Sequence, residues 1–370
     1  MKALSLLIKP VSGACEYSCE YCFYKDELTL RKEKNSGVMS SGTLENLVRR
    51  AFSCACPVSF MFQGGEPLLA GLGFFETFSE LAHRYARGCV YTNSIQTNGG
   101  LLTKELAAYL KREGFLVGLS LDGQRNAHDM YRRDTRGEGT YERTRAAAKL
   151  LEEYEIPYNV LCVVSRANVN TAEETYAALK KHGYIQFIPC LDSFGDAERT
   201  YAPSPEEYGE FLINTFDMYE RDLRAGEYVS VRIFDNYINM LSGRRPEACA
   251  MTGRCSVSFT VESDGSVYPC DFYCLDQWRL GSVNESGFAE LEKSAAACEF
   301  VNSSVYMNTE CRACSYFSLC RGGCRREREP FENGHPALNR YCASYKRLFS
   351  ERGQSLRRLA EDVRGGAFSK

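Results

Sequence analysis

Six short apolar or β-branched runs recur along the first 190 or so residues, each followed by a stretch of helical period: "LSLLIK", "VSFMF", "NSIQT", "LVGLSL", "YNVLCVV" and "IQFIP", starting near residues 4, 58, 93, 116, 158 and 185. This alternation is the pattern of βα units around a parallel sheet. After the first run, Leu44, Leu47, Val48 and Ala51 follow i, i+3, i+4, i+7 spacing, with Ser40 or Ser41 placed to cap the helix. Six such repeats form an open barrel or a wound sheet, and in either case the ligand site lies in the loops after the carboxyl ends of the strands. A chain of 370 residues is long enough for that α/β domain and a smaller one.

Those loops hold "CEYSCEYC" (15–22), "QGGEP" (63–67), "QTNGG" (96–100), "SLDG" (120–123) and "PCLD" (189–192). Each taken alone reads as turn chemistry, "QTNGG" most of all. Their placement at one rim favours a shared site. The glycines of "QGGEP" allow a ligand close to the backbone, and Glu66 offers a carboxylate to a positively charged group.

The formal net charge of −3 gives no global attraction for nucleic acid or anionic lipid, and "RRD" and "RGGCRRERE" read as solvated basic faces. The amino-terminal apolar run is broken by Lys9 and Pro10, too short for a membrane span and without signal-peptide features. It reads as a buried strand of a cytoplasmic protein. Eighteen cysteines in such a chain suggest metal rather than a disulfide framework. Cys54, Cys56, Cys89, Cys162, Cys190, Cys274 and Cys298 stand singly or in apolar contexts and read as small buried hydrophobes. The other eleven form two groups: Cys15, Cys19 and Cys22, then Cys249, Cys255, Cys270, Cys311, Cys314, Cys320, Cys324 and Cys342.

A four-iron cluster ordinarily takes four thiolates. With three, the remaining iron can chelate a small molecule, as an open fourth position does for catalytic zinc. A zinc site completed by histidine is the competing reading, but the chain has four histidines and none lies near this loop. The Cys-x3-Cys-x2-Cys spacing, in the loop after the first strand and followed by Phe23 and Tyr24, resembles the radical S-adenosylmethionine superfamily. That resemblance implies a partial (β/α)6 barrel with Cys15, Cys19 and Cys22 holding a 4Fe–4S cluster whose open iron binds S-adenosylmethionine. It also implies Tyr21 beside the adenine, Gly64, Gly65 and Glu66 receiving the amino group, and Ser120 near the ribose or carboxylate.

In the second group, Val257, Phe259 and Val261 alternate before an Asp264–Gly265 turn and a returning strand, a hairpin expected to bring Cys255 near Cys270. Two four-cysteine zinc ribbons are the plainer reading. After a radical-type loop, however, the order Cys-x5-Cys-x14-Cys, Cys-x2-Cys-x5-Cys-x3-Cys, Cys resembles the SPASM domain, a small cysteine-rich extension with two auxiliary iron–sulfur clusters. The resemblance implies that Cys249, Cys255, Cys270 and Cys324 hold one and Cys311, Cys314, Cys320 and Cys342 the other, giving three 4Fe–4S clusters in all. The expected division is 1–235 for the barrel with connecting helices, 236–345 for the SPASM domain and 346–370 for a C-terminal helix.

"YPCDFY" (268–273), "QFIPCLD" (186–192) and "WRLG" (278–281) resemble the anaerobic sulfatase-maturating enzymes. Membership would imply oxidation of a Cys or Ser in a Cys/Ser-x-Pro-x-Arg segment of an unfolded sulfatase to Cα-formylglycine. A 5′-deoxyadenosyl radical would take the Cβ hydrogen, the auxiliary clusters would accept an electron, and a reduced flavodoxin- or ferredoxin-like protein would be the donor. No nucleic-acid or membrane partner is expected. Two alternatives stay open: a SPASM peptide maturase forming a thioether or other crosslink, and a non-catalytic zinc scaffold. Asp271, directly after Cys270, is the candidate general base for the thiol or hydroxyl proton, with burial expected to raise its pKa. A carboxylate that merely braces a turn is the other reading of Asp271, and Asp122, Asp192 and Asp276 compete for the role.

Overall fold

The computed structural model describes residues 1–32, 36–194 and 201–367. Among these the strands are β1 (Leu4–Ile8), β2 (Val58–Phe62), β3 (Tyr91–Thr97), β4 (Phe115–Ser120), β5 (Tyr158–Val164), β6 (Tyr184–Pro189), β7 (Ser230–Val231), β8 (Thr260–Val261), β9 (Ser266–Tyr268) and β10 (Gly281–Ser282). The six runs read from the sequence are β1 to β6. The chain forms two compact units, one of residues 1–120, 132–158 and 256–302, the other of residues 121–131, 159–255 and 303–370.

In the first unit β1, β2, β3 and β4 run parallel, with Leu4 opposite Val58, Val58 opposite Tyr91 and Asn93 opposite Phe115. Parallel pairing requires crossovers, supplied by the helices Ser41–Cys54, Leu72–Ala86 and Lys104–Arg112. Ser40 starts the first of them by accepting the Thr43 amide at 3.1 Å, and its apolar face of Leu44, Leu47, Val48 and Ala51 is buried. These side chains join Phe60, Phe62, Phe75, Phe78 and Phe115 in one core. Each buried phenylalanine contributes about 1.5–3 kcal/mol, so strand order is fixed well below the functional rim.

The β8–β9 hairpin, antiparallel through Thr260 and Tyr268, turns at Gly265 (φ +87°). β8 adds to β1 in parallel, with Leu7 opposite Thr260. Residues far along the chain, Cys270 and Asp271 among them, thereby belong to the unit that carries the first cysteine loop.

The second unit contains the parallel strands β5, β6 and β7, with Val160 opposite Ile185 and Tyr184 opposite Ser230. Helix Pro205–Arg224 opens with a Ser204–Glu207 capping box. The terminal helix runs from Cys342 to Arg364, beginning before the expected residue 346; residues 368–370 lie outside the described part. It docks through Arg347 on Glu210, Arg352 on Asp217 (2.6 Å) and Phe349 against Tyr237. No described helix is long and apolar enough to cross a membrane.

Three of the seven cysteines depart from the buried small-hydrophobe reading, Cys56, Cys89 and Cys298, and Cys54 is only half-buried. Cys56 and Cys89 pair as a disulfide, with Cα atoms 5.6 Å apart. Each lies just before a strand, β2 and β3, and the pairing of those strands brings the two residues together. Cys298 is exposed, whereas Cys162, Cys190 and Cys274 are buried as small hydrophobes would be.

Candidate active site and cluster-binding cysteines

Cys15, Cys19 and Cys22 occupy the loop that leaves β1, and Cys22 stands at the N-cap of helix Phe23–Leu30. All three are half-buried. N–H groups surround the sulfurs: the Tyr17 amide (3.3 Å) and Asn98 Nδ2 (3.6 Å) point at Cys15 Sγ, and Arg132 Nη1 lies 4.0 Å from Cys19 Sγ. Burial raises the pKa of the Cys15 and Cys22 thiols, Cys15 strongly, so a bound cation is needed to hold them as thiolates. Among the described residues no three Cys, His, Asp or Glu side chains converge as a single metal ion requires. A four-iron cluster makes no such demand, since its thiolates bind different irons. Thiols with amide donors aimed at them fit that group.

"QGGEP" packs directly on this loop. The Gln63 amide donates to Ile8 O (2.9 Å) and the Glu66 amide to Ala14 O (2.8 Å). Both glycines have positive φ, and a Cβ at Gly65 would collide with the Ala14 carbonyl, one at Gly64 with the Lys9 side chain. Only glycine permits that approach. Glu66 is 0% exposed, with Oε1 accepting from Thr97 Oγ1 (2.8 Å) and the Leu68 amide (3.0 Å), and Oε2 from the Asn98 amide (2.8 Å). Burial and the nearby Glu16 carboxylate raise its pKa to about 8. Its oxygens are thus engaged in tying the loop after β2 to the loop after β3. Tyr21 is buried under the Arg132 guanidinium, 5.4 Å from the ring centroid, and Ser120 accepts from Gln96 Nε2 at 3.0 Å.

Asp271 lies in the same unit, in a network that the motifs did not announce. Its Oδ2 accepts from Tyr24 OH (2.7 Å) and Gln63 Nε2 (3.1 Å), while Oδ1 is covered and has no partner among the described residues. Behind them Lys9, 1% exposed, lies 4.5 Å from the Tyr24 ring centroid and pairs with Glu262 (2.7 Å), which also receives Arg31 (2.7 Å). Burial raises the Asp271 pKa, against the pull of the Lys9 ammonium and the Tyr24 hydroxyl. The three competing aspartates have other work. Asp122 accepts the Val163 amide (2.9 Å), Asp192 pairs with Arg340, and exposed Asp276 accepts the Lys32 amide (3.1 Å).

In the second unit a cavity is lined by Cys311, Cys314, Cys320 and Cys342, together with Tyr316, Phe317, Tyr345 and Lys346. Burial pushes Cys320 up to about 11 and raises Cys311 and Cys342 as well. Cys249, Cys255 and Cys324 belong to this unit, and the Arg326 amide donates to Cys324 Sγ at 3.4 Å. Cys324 is raised by burial, then by Glu327 and the Cys249 thiol. Cys270 belongs to the first unit.

The radical SAM superfamily matches residues 10–179, and an iron–sulfur cluster-binding domain, SPASM, matches residues 249–315. A cysteine-type anaerobic sulfatase-maturating enzyme of Clostridium novyi is 40% identical, over 98% of this chain and 99% of the relative. A serine-type one from Bacteroides thetaiotaomicron is 30% identical, over 94% and 89%. A solved structure, native anSMEcpe with bound AdoMet and Cp18Cys peptide, superposes with a TM-score of 0.93 at 40% identity, over 98% of this chain and 99% of the other. The chain belongs to the anaerobic sulfatase-maturating enzymes.

As an anaerobic sulfatase-maturating enzyme it is a radical SAM enzyme with an α/β fold and a SPASM domain. Sequence reasoning on this family member missed Gln63, Lys9, Asn98 and Arg132, and took Tyr24 only as an aromatic neighbour of the cysteines. Gln63 opens "QGGEP", and Lys9 is the one charge ending an apolar strand; both positions were visible signals. Asn98 sits in "QTNGG", whose contact with Cys15 makes it more than a turn.

Proposed function

We propose that this enzyme oxidises a cysteine or serine side chain, in a Cys/Ser-x-Pro-x-Arg segment of an unfolded sulfatase, to Cα-formylglycine. The reading takes Cys15, Cys19 and Cys22 as ligands of a 4Fe–4S cluster that binds S-adenosylmethionine, and the eight later cysteines as ligands of two more, within an extension at 236–345. When bound, cluster and S-adenosylmethionine supply hydrogen-atom abstraction at the substrate Cβ. Gly64 and Gly65 would let that ligand approach the backbone, with Tyr21 placed to flank its adenine and Ser120 to meet its ribose or carboxylate. Glu66, engaged by three protein donors, keeps the two loops in register rather than meeting the ligand alone.

The observation that carries the mechanism is the division of labour at Asp271: Tyr24 and Gln63 hold one oxygen, and the other is unpaired. A carboxylate so held accepts the thiol or hydroxyl proton at Oδ1, and its raised pKa brings it nearer to the strength a general base needs. Cysteine is the favoured substrate residue, since identity to cysteine-type relatives is 40% against 30% for serine-type ones. A reduced flavodoxin- or ferredoxin-like protein supplies electrons, and the setting is an oxygen-poor cytoplasm. Anaerobic incubation with paired Cys- and Ser-containing peptides tests this by mass spectrometry. Conversion of the thiol peptide to the aldehyde is expected; an unchanged peptide, or a thioether crosslink in its place, overturns the reading.

A further inference from the structure

Arg328 closes the short turn Arg325–Arg328 that Cys324 opens. It is 6% exposed, and its guanidinium is fixed by backbone carbonyls: Nε donates to Ala337 O (3.1 Å), Nη2 to Tyr306 O (2.7 Å) and at longer range to Pro336 O (3.4 Å). Nη1 faces Gly322, where an added Cβ would stand 3.7 Å from it. These anchor points lie on the three segments that deliver thiols: Tyr306 shortly before Cys311, Gly322 between Cys320 and Cys324, and Ala337 shortly before Cys342. Among the described residues no carboxylate pairs with Arg328. Its neighbours differ, since Arg325 donates to Ser303 Oγ (2.7 Å) and Arg326 lies over the Phe194 ring.

A guanidinium stays charged in proteins, and a buried charge without a counter-ion is costly. Carbonyl dipoles solvate it but do not neutralise it. Burial and the neighbouring Arg325 cation lower its pKa, and the Cys311, Cys255 and Cys320 sulfurs oppose that shift, so negative charge developed on those sulfurs would stabilise the cation. A thiolate-ligated iron–sulfur cluster is an anion, and it becomes more negative by one charge on reduction.

We propose that Arg328 is the buried counter-charge of the auxiliary cluster held by Cys311, Cys314, Cys320 and Cys342, a positioning residue that raises the cluster's reduction potential and makes it a better one-electron acceptor. The proposal rests on the reading that these four thiols hold a cluster. Both are tested on the full-length, anaerobically reconstituted enzyme by iron and sulfide content and by redox titration followed by electron paramagnetic resonance. Arg328→Gln should keep its iron but reduce at least tenfold less readily, a fall of about 59 mV for a one-electron couple. Arg328→Lys keeps the charge and should titrate within threefold of the parent. Coincident titration of Arg328→Gln and parent overturns the proposal. So does loss of iron in Arg328→Gln, which would make the side chain a structural clamp, or an equal shift in Arg328→Lys. Separately, a variant with all four cysteines changed to Ala that keeps the parent's iron content would overturn the cluster reading itself.

Discussion

The base role proposed for Asp271 rests on the different surroundings of its two oxygens. Replacing it by Asn keeps the size and the Gln63 side of the contact but removes the proton acceptor. General-base catalysis contributes about 10²–10⁴-fold, so peptide oxidation by Asp271→Asn should fall at least ~100-fold. Iron content and the S-adenosylmethionine cleavage measured by chromatography should match the parent; formylglycine formed at near the parent rate would remove Asp271 from the mechanism. Tyr24→Phe deletes one hydrogen bond to a charged group, worth roughly 1.5–3 kcal/mol, and should slow oxidation about 10- to 100-fold without altering iron content. Unchanged oxidation by that variant would show that Gln63 alone holds the carboxylate. Asp271 could be picked out in the sequence because it adjoins a cysteine in an ordered motif. Tyr24 and Gln63 could not be joined to it, since those contacts span 247 and 208 residues and exist only after the sheet has closed on the hairpin.

At the scale of strands and loops, legibility followed length. β1 to β6 are five to seven residues long, enough for alternation and flanking helices to declare them. β7 to β10 have two or three residues, too few to declare themselves by period alone, and it was the Asp264–Gly265 turn, after the alternating Val257, Phe259 and Val261, that betrayed the β8–β9 pair. The Cys56–Cys89 bond was hidden for another reason: it depends on two strand starts becoming neighbours, which single-chain spacing does not encode. The loop after β2 makes the sharpest demand on sequence. Gly65 has φ +46° and no room for a Cβ beside Ala14 O, whereas Gly71, at φ +77°, has nothing within 4 Å of its virtual Cβ. Both substitutions by Ala carry backbone strain of about 1–3 kcal/mol. Only Gly65→Ala also pushes the cysteine loop away from "QGGEP". It should weaken S-adenosylmethionine binding at least tenfold by calorimetry, while Gly71→Ala lowers the melting temperature and leaves affinity within twofold. Equal affinities for the two variants would mean that the close approach at Gly65 has no part in ligand binding.

Across the whole molecule, apolar packing and cysteine density are unevenly spread. β1 to β4 share a continuous aromatic and aliphatic core, whereas residues 303–341 consist of four-residue helices, one 3-10 turn and loops. Such short elements do not hold themselves together, since nucleating a helical turn is unfavourable without packing. If these cysteines hold clusters as proposed, they supply what the core does not: burial keeps Cys320 and Cys324 protonated unless a metal is bound, and metal binding to a site absent from the unfolded chain is itself folding free energy. Iron removal should therefore act regionally. In hydrogen exchange followed by mass spectrometry, the chelated, iron-free protein should lose amide protection in 303–341 and around 15–22. It should retain protection in β2, β3 and β4, whose amides pair within a core that contains no iron ligand. Limited proteolysis should cut first within 303–341. Uniform loss across both units would show a single cooperative structure that depends on iron throughout, and unchanged protection in 303–341 would show that this segment is held by its own packing after all.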